Sequence, residues 1–190
     1  MSNLSELSKR INRRRARGPL RGHCDAKSFN MKLPVIIKNI EGVSNIELAN
    51  IIKMSSDVQS RETNVKADMT DWFMQRQYPI FNFLADIVID IAKKTSPHEV
   101  QLELYDMWGA VYNRGDFTIN HDHWPHPWSF VYYVKSNGAT PIIFPDCSYS
   151  LNPKAGDIVL FPGIIRHGVP IHESDEERII VSGNINIKYS

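Results

Sequence analysis

Four of the seven histidines in this 190-residue chain lie between positions 121 and 167, two of them in the run His121-Asp122-His123. On an extended strand residues i and i+2 project to one face, so the two imidazoles converge while Asp122 points away. That is chelating geometry, although a His-x-His pair alone reads equally well as a polar strand end. His167 is the candidate third ligand. It stands 46 residues beyond His121 in Leu160-Phe161-Pro162-Gly163-Ile164-Ile165-Arg166-His167-Gly168-Val169, a late β segment that antiparallel pairing in a rolled sheet can return to the first pair. Eleven residues further, Arg178 opens the apolar run Ile179-Ile180-Val181. A guanidinium cannot deprotonate, so an arginine leading into a buried strand needs an anion beside it. Either Glu176, Glu177 or Asp116 supplies that anion, or a ligand does. Spacing alone thus reaches a metal site with an anion-binding arginine.

The elements that must position these side chains are mainly strands. From Val100 the hydropathy alternates with period 2, and strands are expected over 100–113, 128–135, 140–145, 157–162, 165–172 and 177–188, separated by turn signals such as Gly115-Asp116 and Asn137-Gly138. Six or more short strands argue for a sandwich or barrel. Upstream, residues 33–40 read as a strand. A helix capped by Ser44 or Asn45 follows and carries Ile46, Leu48, Ile51, Ile52 and Met54. A second helix runs from Pro79 to Lys93-Lys94, with lysines at the negative end of its dipole. Residues 64–72 are expected to be extended or irregular.

Composition bounds the class. With 42% hydrophobic residues, 8 Phe, 7 Tyr and 4 Trp, the chain has material for one core without staples. Two cysteines, Cys24 and Cys147, exclude a disulfide scaffold and are expected as ordinary thiols; no apolar run approaches the roughly 20 residues of a membrane span. No membrane association is expected. The formal charge of +1 conceals an asymmetry, since residues 1–30 hold eight Lys/Arg against Glu6 and Asp25. That segment is expected as a basic, flexible tail, able to bind nucleic acid through phosphates, with a folded domain over 31–190. An Arg-rich start without an apolar stretch points to a cytoplasmic protein.

The runs WGAVYNRGDFTINHDHWPHPWSFVYYVKS, PKAGDIVLFPGIIRHGVP and ERIIVSGNI resemble the iron(II)/2-oxoglutarate-dependent oxygenases. They are similar in particular to oxygenases common in cyanobacterial viruses and related to prolyl hydroxylases. The resemblance covers about residues 100–188. It implies an α+β, mainly β fold with a double-stranded β-helix (jelly roll, cupin-like) core over that range, flanked by N-terminal helices. It implies His121, His123 and His167 as ligands of iron(II), with His123 where the family usually has a carboxylate. It implies Arg178 as the residue gripping the distal carboxylate of 2-oxoglutarate. Tyr112, Tyr133 and Ser182 match further cosubstrate-binding positions, and Tyr132 is left to packing.

The activity so implied is that of a dioxygenase, consuming 2-oxoglutarate and O2 and hydroxylating a protein side chain in the manner of a prolyl hydroxylase; for a viral protein the compartment would be the host cytoplasm. The departure at His123 leaves a divalent metal one charge more positive than usual and favours anionic ligands. Two other readings compete: a three-histidine cupin-type dioxygenase without cosubstrate, and a non-catalytic jelly-roll binding or assembly module retaining a metal site. Trp124-Pro125-His126-Pro127-Trp128 should form a stiff loop at the mouth of the roll, with His126 too constrained to be a ligand. His23, His98 and His172 read as surface or capping residues, and residues 173–177 as a solvated turn.

Overall fold

A computed structural model describes residues 33–56 and 63–188. The basic segment 1–30, with Cys24 and His23, lies outside the described residues. Eleven strands pair throughout in antiparallel fashion: β1 (Ile36–Asn39), β2 (Val65–Lys66), β3 (Asp68–Met69), β4 (Leu102–Tyr112), β5 (Phe117–His121), β6 (Trp128–Lys135), β7 (Ile142–Phe144), β8 (Tyr149–Leu151), β9 (Asp157–Pro162), β10 (His167–Val169) and β11 (Arg178–Ile187). They form a large sheet in the order β1-β9-β6-β11-β4-β3 and a small one in the order β2-β5-β10-β7-β8. From β4 to β11 the chain passes back and forth between the two sheets, which is the expected jelly roll.

Two helices cover the outer face of the large sheet. Helix α1 (Asn45–Ser55) begins where the Ser44 hydroxyl accepts the Glu47 N–H at 3.3 Å, and helix α2 (Pro79–Thr95) has proline in its first turn and Lys93 and Lys94 in its last. The buried stripe of α2, Phe81, Leu84, Ala85, Val88, Ile91 and Ala92, repeats at helical spacing. It packs with Leu48 and Ile52 on Met107, Val111, Tyr132, Val134, Ile158, Leu160, Ile179 and Val181. Gly109 permits that approach, because a Cβ there would stand 2.5 Å from Cγ1 of Ile52.

Strand parity divides the side chains of the large sheet. Trp108, Ala110 and Tyr112 of β4, Val131 and Tyr133 of β6, Val159 and Phe161 of β9 and Ile180 of β11 point into the roll and form a second core with Phe144, Ile165 and Val169.

The long strands fall where alternation placed them. Two short ones, β5 and β8, were not anticipated, and the expected strand over 140–145 ends at Phe144 in a one-turn 3₁₀ segment, Pro145–Cys147. The reason is burial: β8 is exposed at two of its three residues and β5 has one buried residue, so neither carries a hydrophobic pattern of its own. Residues 64–72 hold the short strands β2 and β3. Among the described residues no helix is long and apolar enough to cross a membrane.

Candidate metal centre

β5 and β10 are neighbours in the small sheet, and His167 is the register partner of His121 across them. Two glycines make the approach possible. A Cβ on Gly168 would lie 2.2 Å from Oδ1 of Asn120, and one on Gly163 would lie 2.1 Å from the His126 carbonyl oxygen. His123 stands beyond the end of β5, so strand parity alone does not bring it to His121. Its backbone N–H donates to the Gly163 carbonyl at 2.7 Å, tying the ligand loop to the turn that leads into β10. The three rings then face one another, with centroids 4.8 Å apart for His121–His123, 4.6 Å for His121–His167 and 5.1 Å for His123–His167. One nitrogen from each lies within 4.8 Å of the others.

The hydrogen bonds select the tautomer. Nδ1 of His121 is 2.7 Å from the Ile119 carbonyl oxygen and Nδ1 of His167 is 3.3 Å from that of Ile165. A carbonyl only accepts, so both Nδ1 atoms carry the proton and both Nε2 lone pairs are left for a metal, the arrangement that ordinarily orients ligating histidines. Burial lowers the pKa of all three imidazoles, that of His167 well below its usual value and that of His123 to about 3, the last reinforced by the neighbouring His121 and His126. All three are therefore neutral donors at pH 7. Phe161, its ring centroid 4.5 Å from that of His167, walls the centre on one side.

The same cavity holds Arg178, Tyr112 and Ser182, and no Asp or Glu lines it. Arg178 is 2% exposed. Its Nη2 donates to the Tyr133 hydroxyl at 3.4 Å, its guanidinium carbon stands 4.8 Å from the Tyr112 ring centroid and 5.1 Å from that of Tyr133, and its Nε and Nη1 have no partner among the described residues. No described carboxylate forms a salt bridge with it: Glu177 pairs with Lys53 and Lys135, and the Glu176 side chain accepts from Asn137. Burial raises the pKa of both tyrosines against the pull of Arg178, so they remain phenols able to donate. Tyr132, one residue away, faces the other side and donates to Oδ1 of Asn45 at 2.7 Å.

Every anticipated site residue thus reaches one cavity or its wall. Asp122 is exposed and accepts from the Trp124 N–H at 3.1 Å, away from the rings. His126 is not part of the triad; its Nδ1 lies 2.6 Å from Oδ1 of Asn186. His172 is a correction. It is 2% exposed rather than a surface residue, its Nε2 donating to the Glu176 carbonyl at 2.7 Å and its Nδ1 accepting from Thr140 at 2.6 Å. The 173–177 turn is correspondingly pinned, with Asp175 also paired to Arg114. Two wall residues were missed. Thr118 shares a 2.7 Å hydrogen bond with the Tyr112 hydroxyl, and Trp108 lies four residues before Tyr112 on the same face of β4. Parity with Tyr112 was the available signal for Trp108.

Residues 144–184, which include His167, Arg178 and Ser182, match the family model described as "Putative 2OG-Fe(II) oxygenase". The fold is similar to that of the viral collagen prolyl hydroxylase of Paramecium bursaria Chlorella virus-1 in its 2-oxoglutarate complex, at 17% identity and a TM-score of 0.62 over 86% of this chain and 98% of that one. The chain has the fold that the resemblance implied, that of the 2OG-Fe(II) oxygenases. A prolyl-4-hydroxylase of Pseudomonas putida is similar at 15% identity and a TM-score of 0.61, over 82% of this chain and 93% of that one. HygX of Streptomyces hygroscopicus with nickel, 2-oxoglutarate and hygromycin B bound is similar at 9% identity and a TM-score of 0.63, over 82% and 83%. No curated protein matches the chain. The donor set fits the cofactors of the family. Three neutral imidazoles suit iron(II), and the unpaired guanidinium suits a carboxylate of 2-oxoglutarate.

Proposed function

We propose that this protein is an iron(II)- and 2-oxoglutarate-dependent dioxygenase that hydroxylates a protein side chain, with a peptidyl proline as the favoured class. The observation that carries the reading is Arg178: a buried cation with two unpaired donors, sharing one cavity with three neutral histidines and no carboxylate. Leaving buried donors unsatisfied costs about 1–3 kcal/mol each, more for charged groups, so folding alone would not favour this arrangement. An anionic ligand would repay it. A cupin-type enzyme without cosubstrate has no use for such an arginine.

In this reading His121, His123 and His167 hold iron(II), which when bound supplies the redox chemistry coupling decarboxylation of 2-oxoglutarate to oxidation of a C–H bond. Overall, 2-oxoglutarate, O2 and R–H give succinate, CO2 and R–OH. The chain's own part is positioning and exclusion. Arg178 forks onto the distal carboxylate with the Tyr133 phenol beside it, Tyr112 and Thr118 close that end, and Phe161 and Ile180 keep water from the walls.

Support for a peptide substrate comes from the mouth. Trp124, 71% exposed, with Pro125, Pro127, Ile164 and Ile187 lines an open groove beside the triad loop. Such a surface suits an extended chain, and a Trichoplax adhaerens prolyl hydroxylase of similar fold has been solved with a peptide fragment of hypoxia inducible factor. Anaerobic addition of iron(II) and then 2-oxoglutarate should give the weak visible charge-transfer band of the chelated cosubstrate. Under air, a screen of peptide, nucleoside and amino-acid pools should show stimulated succinate release with proline-containing peptides. Iron binding without the band would sink the cosubstrate assignment, and stimulation by nucleosides alone would sink the peptide assignment.

A further inference from the structure

Buried polar atoms in folded proteins are nearly always paired, so the exceptions are informative. Four buried side-chain atoms lack a partner among the described residues: Oε1 of Gln75, Nε1 of Trp108, and Nε and Nη1 of Arg178. The last three are all N–H donors on residues that line the triad cavity. The other buried indole follows the rule, as Nε1 of Trp128 donates to the Ser96 hydroxyl at 3.0 Å. Trp108 is 3% exposed, so solvent at the surface does not satisfy it either.

The sheet register separates the orphan donors. Arg178 is the partner of Tyr112 and Ser182 the partner of Trp108 across β11 and β4. The two pairs are four residue steps apart along the strand, about 13 Å. Trp108 belongs to the metal end, its ring centroid 6.3 Å from that of His123. Donors at both ends of one cavity that holds no carboxylate of its own describe a site for a dianion with an acceptor at each end.

We propose that Nε1 of Trp108 donates a hydrogen bond to the metal-proximal carboxylate of the dicarboxylate cosubstrate, as the counterpart of Arg178 at the distal one. The assignment rests on the function proposed above and adds a binding residue to it. The third imidazole sharpens the point, since a triad containing a carboxylate would offer the indole a second oxygen acceptor, whereas the lone pair of a neutral His123 would be taken up by the metal.

The test uses the wild-type chain loaded with zinc(II) as a diamagnetic stand-in for iron(II). Its four tryptophan side chains give four indole N–H resonances, assignable by single Trp→Phe substitutions. Addition of 2-oxoglutarate should move the Trp108 indole proton downfield and leave that of Trp128 in place. With iron(II) under anaerobic conditions, Trp108→Phe should weaken 2-oxoglutarate by about tenfold or more, the loss expected for one hydrogen bond to a charged group, at unchanged iron affinity. If the wild-type band forms but the Trp108 resonance stays still, or the variant binds cosubstrate as tightly as wild type, the assignment is overturned while the proposed function stands. If wild type takes iron and gives no band, both fall. Should the variant fail to fold, the wild-type resonance decides.

Discussion

The two faces of the large sheet are made from the same strands by alternate residues, yet they differ in kind. Toward the helices, Met107, Val111, Val134, Ile158, Leu160, Ile179 and Val181 form an apolar layer, and its one phenol, Tyr132, is hydrogen-bonded to Asn45. Toward the interior of the roll, Trp108 and Arg178 carry donors without a partner among the described residues, and across the cavity stand three histidines whose burial disfavours protonation. One face is satisfied and supplies stability; the other is left incomplete. Hydrophobic burial on the first offsets the desolvated cation on the second, so stability and binding are carried by opposite sides of one sheet.

Substitutions can break or sharpen that contrast. The largest effect should come from His167→Ala, which removes a ligand while leaving the helix-facing layer untouched. Metal affinity measured against a competing chelator should fall by more than about a hundredfold, beyond the 10–100-fold typical of losing a supporting hydrogen bond, with the circular dichroism spectrum unchanged. Arg178→Met should come next and act in two directions. Cosubstrate affinity should fall by about a hundredfold, while the metal-free protein should become more stable by about 1 kcal/mol or more, because an unpaired buried charge is replaced by an apolar side chain of similar length. A lower melting temperature for this variant would mean that the arginine is satisfied within the chain after all. On the other face, Leu160→Ala should cost about 2–5 kcal/mol in urea unfolding, yet leave cosubstrate affinity of the folded protein unaltered. Loss of affinity there would show that the two faces are coupled.

The smallest effect per step of the variable changed is a slope with pH. His121, His123 and His167 have folded pKa values lowered chiefly by burial, so the unfolded chain accepts protons that the folded chain refuses. The stability of the metal-free protein is therefore fully present above the ordinary value of 6.5 and is lost as pH falls toward about 3, the value for His123. The slope should approach ~1.4 kcal/mol per pH unit for a single histidine. Urea midpoints across that window measure it, and a flat profile would mean that the imidazoles accept protons in place.

Much of this was legible in the chain because it is local. His121 and His123 are separated by one residue, Ser44 precedes its helix, and β6 is an aromatic and β-branched run buried on both faces. Tyr132 and Tyr133 show the limit. Adjacency guarantees that they face opposite sides, but only the helices on one side and Arg178 on the other decide which is core and which is cavity. His172 was misread because its immediate neighbours do not report its burial: Ile171 is itself exposed and Glu173 follows, while the contacts that bury the ring come from Thr140, 32 residues earlier, and from the Glu176 carbonyl. The convergence of His123 was anticipated for too simple a reason, since a backbone hydrogen bond that its N–H donates to the Gly163 carbonyl holds it rather than strand parity.

By itself, then, the sequence determined the kinds of donor this protein has and their spacing along each strand, because period-2 alternation is a property of the backbone and needs no fold. Tertiary structure alone decided which of them meet and which go unanswered. The register of His167 against His121 spans 46 residues and is set when the roll closes. That donors of Arg178 and Trp108 lack a partner among the described residues follows only once every neighbour has taken its place, since an unpaired donor is a statement about all the surrounding atoms and not about the residue that carries it.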